Sequence, residues 1–268
     1  MGSHGTIFVP WVRSAPVPTK THGTKNVPWL QNDRNRMNFS KTKRPVRLLI
    51  FDLDGTLIDS KIDLARSVNA TLHYLGRASL EDETIYSYVG QGAEALIQRA
   101  IGDGFSPEEV ARGLHYFIGY YRQHKLDHTT LYPGVREALE RLANGEDSQR
   151  RTLAVLTNKP VRVSRDILKE LGLLPLFRYV YGGNSFENKK PDPVGVYTLL
   201  KDTGTHPREA MVVGDSDIDI LTGAKAGIWT CGVTYGFGTL QLDSNPPDLV
   251  VHSLPELADA LEAGASRR

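Results

Sequence analysis

The order of apolar runs in this sequence predicts an α/β protein. The expected architecture is a doubly wound parallel sheet with an all-helical segment inserted after its first strand. Three observations carry that expectation. Short apolar runs recur at Val46–Phe51, Thr152–Leu156, Met211–Val213 and Trp229–Val233. Each has strand length and is closed by polar or glycine residues. Helical periodicity separates the later runs, and such alternation calls for parallel strands joined by crossover helices. Between about residues 62 and 128 the alternation stops and only helical patterns are found.

The bulk properties narrow the function classes. A chain of 268 residues is ample for a real core. A net charge of +1 points away from nucleic acid as a partner. No apolar run approaches the length that spans a bilayer, so no membrane partner is expected. The single cysteine, Cys231, cannot form an internal disulfide, and its apolar, Gly-flanked setting suits a small buried residue. A reducing, cytoplasmic location is the expectation. None of the eight histidines falls in a metal-ligand pair.

Residues 1–44 read as a disordered or extraneous extension. They carry Pro10, Pro16, Pro18 and Pro28, show no apolar period, and hold one acid, Asp33. The prolines argue against the amphipathic helix of a transit peptide. Met-Gly-Ser-His at the start resembles vector sequence, and Met37 is the expected native start.

Taken in order, Val46–Phe51 is a buried strand with Arg47 inside it. Ile62, Leu64, Ala65, Val68, Leu72 and Leu75 form a helical stripe stopped by Gly76. Short helices follow over 80–88 and 92–101. Ser106-Pro107-Glu108-Glu109 opens the next as N-cap, first-turn Pro and capping-box Glu. Its aromatic face, Tyr116, Phe117, Tyr120 and Tyr121, is assigned to packing rather than to the site. Helices at 135–142, 161–171, 194–201 and up to Ala226 then alternate with strands, including 179–181 and 248–251, and a last helix begins at Pro255. The expected core is 45–60 with 129–268, and the expected helical insert is 61–128.

The chemistry gathers at strand ends. The first strand delivers Asp52 and Asp54, and two acids two residues apart on an extended segment point the same way. Like charges that close require a metal, an acid/base pair, or both. A second strand ends in Thr157-Asn158-Lys159-Pro160, and a third in Gly214-Asp215-Ser216-Asp217-Ile218-Asp219. Asn188-Lys189-Lys190-Pro191 adds a basic loop. In a parallel sheet these ends share one edge, where such sheets bind ligands. Nucleophile, charge neutralisation and proton donor are together the needs of phosphoryl transfer.

The string Phe51-Asp52-Leu53-Asp54-Gly55-Thr56 resembles the first motif of the haloacid-dehalogenase-like phosphohydrolases, and the later segments are similar to their other motifs. The resemblance covers about residues 46–260. It implies a Rossmann-like core with a helical cap, Asp52 as nucleophile, Asp54 as general acid/base, and Lys190 offsetting charge. It implies Thr157, Asn158 (through its N–H) and Lys190 as phosphate ligands. Mg²⁺ is implied on Asp52, the backbone carbonyl of Asp54 and Asp215, with Asp219 supporting the metal shell or Lys190. Asp217 has no family role and reads as a first-turn helix acid.

An acid at position 54 argues against dehalogenation, and Thr56 argues against the sugar-phosphate mutases. Tyr88-Val89-Gly90-Gln91-Gly92-Ala93, Thr130-Leu131-Tyr132-Pro133-Gly134 and Val233-Thr234-Tyr235-Gly236 resemble stretches of phosphoglycolate phosphatases. That implies 2-phosphoglycolate as substrate, with Gly90, Gln91 and Gly92 contacting its small leaving group. The alternatives are a broad small-monoester phosphatase, a pyrophosphatase, or a non-catalytic phosphate-binding protein.

Overall fold

The computed structural model describes residues 45–145 and 150–266, with side chains to residue 263. The extension 1–44 and its start at Met37 lie outside the described residues. The described elements begin with β1 (Leu48–Phe51) and β2 (Ile58–Asp59). Four helices follow, α1 (Lys61–Tyr74), α2 (Asp82–Tyr86), α3 (Ala93–Ile101) and α4 (Pro107–His124). Next come β3 (Thr130–Leu131), α5 (Val135–Ala143), β4 (Thr152–Leu156), α6 (Val161–Glu170) and β5 (Tyr179–Tyr181). The chain continues with α7 (Val194–Thr203), β6 (Ala210–Gly214), α8 (Asp217–Ala226), β7 (Trp229–Val233), β8 (Leu249–Val251) and α9 (Leu254–Ser266).

Among the described residues the main sheet has six parallel strands in the order β5-β4-β1-β6-β7-β8. β1 lies inside it because both of its faces are apolar. Leu48 and Ile50 pack with Val196 and Leu199 of α7, while Leu49 and Phe51 pack with Leu139 of α5 and Ile167 of α6. All four β1 side chains are fully buried, each stabilising the fold by about 1.5–3 kcal/mol. The chain extends outward to β4 and β5, then crosses back to β6 on the other side of β1. That reversal opens a crevice at the C-terminal strand ends.

The expected alternation holds, with two local corrections. β2 was not foreseen. It pairs antiparallel with β3 over Ile58↔Leu131 and Asp59↔Thr130, and two residues are too few to show a period. This pair stands where the chain enters and leaves the helical segment. The second correction concerns α4. Ser106 Oγ accepts from Glu109 N at 3.1 Å as expected, but the Glu109 carboxylate does not complete the capping box. It takes two bonds from Arg77, at 2.8 and 3.0 Å, and so joins the start of α4 to the end of α1.

Asp63, in the first turn of α1, fixes the same boundary. Its Oδ2 accepts from His128 N at 3.0 Å, Thr129 N at 2.8 Å and Thr129 Oγ1 at 2.8 Å, and its Oδ1 meets His128 Nδ1 at 2.9 Å. Burial raises the cost of its charge, but the His128 and Thr129 donors outweigh it and hold the carboxyl below the ordinary range.

Candidate active site

The site forms where β1, β4 and β6 end side by side. Asp52 follows β1, Thr157 follows β4 and Asp215 follows β6, and the parallel register makes them neighbours. Gly55 lets the chain turn directly over this edge. It has a φ of +81°, and a Cβ there would run into the Asp215 carboxylate.

Charge organises the cluster. Asp52, Asp215 and Asp219 each bring a carboxylate oxygen within 4.8 Å of the others. Lys190 Nζ lies 2.9 Å from Asp52 Oδ1 and 2.6 Å from Asp219 Oδ1. Burial opposes the Lys190 charge, yet Asp219 and Asp52 raise its pKa. Burial pushes Asp52 up to about 6, with Lys190 and the Thr157 hydroxyl pulling down and Asp219 pushing up. Burial, then Asp219 and Asp52, push Asp215 up to about 8. Three carboxylates against one ammonium leave two negative charges in excess when all are ionised. A divalent cation closes that deficit, and an all-oxygen donor set suits a hard ion. Asp219 is already engaged on both oxygens, through Lys190 and through Ser216 N and Oγ at 3.2 and 2.6 Å. Asp215 is oriented by Thr56 Oγ1 at 3.0 Å and Gly238 N at 2.7 Å. Asp52 and Asp215 also line the cavity at this edge, where Asp219 does not, so these two could hold an ion there.

Asp54 faces a cavity of about 70 Å³, which Asp52, Thr157, Asn158 and Asp215 also line. At roughly 10–15 Å³ per water, that space suits a small solute. Its far wall comes from the helical segment, through Gly90, Gly92, Leu96 and Phe117 among others. Of the expected loop, Gly90 and Gly92 reach the cavity. Gln91 is exposed and accepts from Arg99 Nη2 at 2.7 Å.

Two features were not read from the sequence. The Asn158 side chain does more than its expected backbone N–H. Its Nδ2 donates to Gly90 O at 2.9 Å and Lys190 O at 3.0 Å, while Oδ1 accepts from Lys190 N at 2.9 Å. Lys159, the next residue, had no role assigned. It is 7% exposed. Its ammonium lies 3.0 and 2.9 Å from the two Asp54 oxygens and 2.7 Å from Tyr121 Oη. The assignment of the α4 aromatics to packing alone is therefore corrected for Phe117 and Tyr121. Both are buried in the core and both line the cavity. Burial, which outweighs the pull of Lys159, pushes the Tyr121 phenol up to about 12. The signal for Lys159 was its place beside Thr157 and Asn158; helical spacing gave none for Tyr121.

Comparison with known proteins agrees with this geometry. Residues 49–233 match the model of the haloacid dehalogenase-like hydrolases. A phosphoglycolate phosphatase of Vibrio parahaemolyticus is 37% identical over 233 residues, spanning 84% of this chain and 100% of that protein. One from Chromobacterium violaceum is 36% identical over 223 residues, spanning 82% and 98%. The crystal structure of a predicted phosphoglycolate phosphatase from Haemophilus somnus superposes with a TM-score of 0.73 at 33% identity, covering 81% of this chain and 97% of that one. With the acids at the ends of β1 and β6, the lysine beside Asp52 and a family match across most of the sequence, the chain belongs to the haloacid dehalogenase-like hydrolases.

Proposed function

We propose that this chain is a Mg²⁺-dependent phosphatase that hydrolyses 2-phosphoglycolate to glycolate and phosphate. The observation that carries the reading is the setting of Asp52. Its carboxylate stands at a strand end beside Asp215, 2.9 Å from the Lys190 ammonium, in the cavity that Asp54 also faces.

Asp52 attacks phosphorus, so an Asp52–phosphorus bond forms as the ester bond breaks. Asp54 gives its proton to the departing alkoxide, then takes one from the water that attacks the aspartyl-phosphate. That second step releases phosphate and restores Asp52. Thr157, the N–H of Asn158 and Lys190 hold the phosphoryl oxygens. Asp52, Asp215 and the Asp54 carbonyl are the groups that would hold Mg²⁺, with Asp219 fixing Lys190 and supporting that shell. The ion would supply the positive charge that lets an anionic carboxylate approach an anionic phosphate.

The helical segment 61–128 acts as a cap over the core, 45–60 with 129–268. The small cavity and its glycine-lined wall favour a small leaving group over a nucleotide. The named activity of the Vibrio and Chromobacterium relatives supports glycolate as that group. A reducing cytoplasm suits the buried, free Cys231. The test is kcat/KM for phosphoglycolate against sugar phosphates, nucleotides and pyrophosphate, with and without Mg²⁺. Equal values across the panel would leave a broad small-monoester phosphatase, and no turnover in any Mg²⁺ condition would leave a phosphate-binding protein.

A further inference from the structure

The cavity poses a problem of charge. Its wall on the helical side is apolar, from Leu64, Val89, Leu96, Phe117 and Ile118. A leaving group that carries a carboxylate would be costly to bury there without a cation. Among the described residues lining the cavity, Lys159 carries the one positive charge. Lys190 is turned to Asp52 and Asp219. Lys189 reaches toward Gly92, but its side chain is exposed and screened by water.

We propose that Lys159 is a specificity-determining residue that receives a second negative charge on the substrate, selecting phosphate esters whose alcohol bears a carboxylate next to the ester carbon. The proposal rests on the phosphatase reading of Asp52 and Asp54. Position supports it first. Asp54 must face the leaving oxygen, and Lys159 Nζ lies within 3.0 Å of Asp54, so the ammonium stands on the leaving-group side. In phosphoglycolate the carboxylate carbon is two bonds from the ester oxygen, within reach of a group so placed.

Valence supports it second. An ammonium has three N–H donors. Here two contact the same carboxylate, Asp54, and the third contacts Tyr121 Oη at 2.7 Å. One donor can turn to an incoming carboxylate while Asp54 keeps the other. Tyr121 keeps the ammonium in place meanwhile, through that bond and through its ring face, whose centroid is 4.4 Å from Nζ. Because Tyr121 belongs to α4 and Asp54 to the β1 end, the receptor is assembled from both sides of the cavity.

The experiment compares two esters with the same two-carbon skeleton, phosphoglycolate and 2-hydroxyethyl phosphate, whose leaving alcohol is neutral. The wild type should prefer phosphoglycolate. Lys159→Gln should lower that preference in kcat/KM by roughly 10- to 100-fold, the worth of one hydrogen bond to a charged group, and Lys159→Arg should restore part of it. Equal losses for both esters in Lys159→Gln would overturn the proposal and leave Lys159 as a positioning residue for Asp54. Absence of any wild-type preference would overturn it together with the phosphoglycolate reading, whereas a wild-type preference that survives Lys159→Gln overturns it alone. Should Lys159→Gln not fold, Tyr121→Phe should lower the preference several-fold, and an unchanged preference there refutes the proposal. Calorimetry with glycolate gives a readout independent of turnover. Binding to the wild type should weaken at least tenfold in Lys159→Gln, and equal binding to both sinks the idea.

Discussion

Asn158 donates its side-chain amide to the carbonyl of Gly90, 2.9 Å away, and so ties the end of β4 to the glycine loop before α3. The same side chain brackets Lys190 through that residue's N–H and carbonyl. One amide thereby sets both the loop and the lysine beside Asp52. Asn158→Ala should cost about 1–3 kcal/mol of stability, because it strands buried backbone groups. It should also raise KM for phosphoglycolate. Denaturant unfolding and steady-state kinetics check the two effects, and an unchanged KM would detach the loop from substrate binding.

Gly92 has a φ of +91°, and a Cβ there would lie 3.2 Å from the Asn158 carbonyl oxygen and 3.3 Å from Lys189 Nζ. Gly92→Leu should therefore shift the loop at the cavity wall. Turnover of phosphoglycolate should fall more than that of a small artificial ester. An equal fall in both would place the loop outside recognition.

Replacement of the two β1 acids separates chemistry from folding. Asp52→Asn should retain cooperative unfolding and lose turnover, because an amide does not attack phosphorus. Asp54→Asn should slow turnover by roughly 10²–10⁴-fold. Folded Asp52→Asn protein with wild-type kcat would rule out the mechanism.

The acid cluster makes stability depend jointly on pH and metal. Without metal, burial and neighbouring carboxylates raise Asp52 to about 6 and Asp215 to about 8, from 3.8. The folded state therefore holds these protons more tightly than the unfolded state. The contribution is full below pH 3.8 and is lost as pH rises through 6 and 8. Mg²⁺ needs the ionised carboxylates, so its stabilisation should grow over the same interval. Thermal unfolding with excess Mg²⁺ should show a gain of several degrees at pH 8 and little at pH 5; a hundredfold excess over Kd is worth about 2.7 kcal/mol. A gain that is flat or falling with pH would remove the cluster as the metal site.

Asp63 shows the opposite sign. Its pKa is lowered in the fold, so its contribution is present above the unfolded value and lost as pH falls through the folded one. Asp63→Ala leaves the His128 and Thr129 N–H groups without their acceptor and should cost about 1–3 kcal/mol at neutral pH. The difference from wild type should narrow on acidification, measured by denaturant midpoints; a constant difference would mean that the carboxylate charge is not what the clamp uses.

The sheet was legible because its strands are buried on both faces, and their apolar runs end at polar groups. β4, β5 and β7 begin and end where their residue types change. Asp52, Asp54, Asp215 and Lys190 were legible because their spacing relative to those ends recurs in a known motif. The pair β2 and β3 was not, since two residues carry no periodicity. Lys159 and Tyr121 escaped for another reason. Each has an ordinary local explanation, a polar loop and a helix face, and only the packing of α4 over the end of β4 brings them together.

β2 and β3 pair directly, so the chain leaves the core and re-enters it at adjacent points. To the sheet, everything between Asp59 and Thr130 is one long turn of a hairpin. Closing a turn costs only about 0.6 kcal/mol more for each doubling of its length, since the entropy grows with the logarithm of length. The segment can therefore lengthen, shorten or be exchanged over evolutionary time without moving Asp52 or Asp215. The helical wall of the cavity and the acids at the strand ends thus belong to separable stretches of one chain.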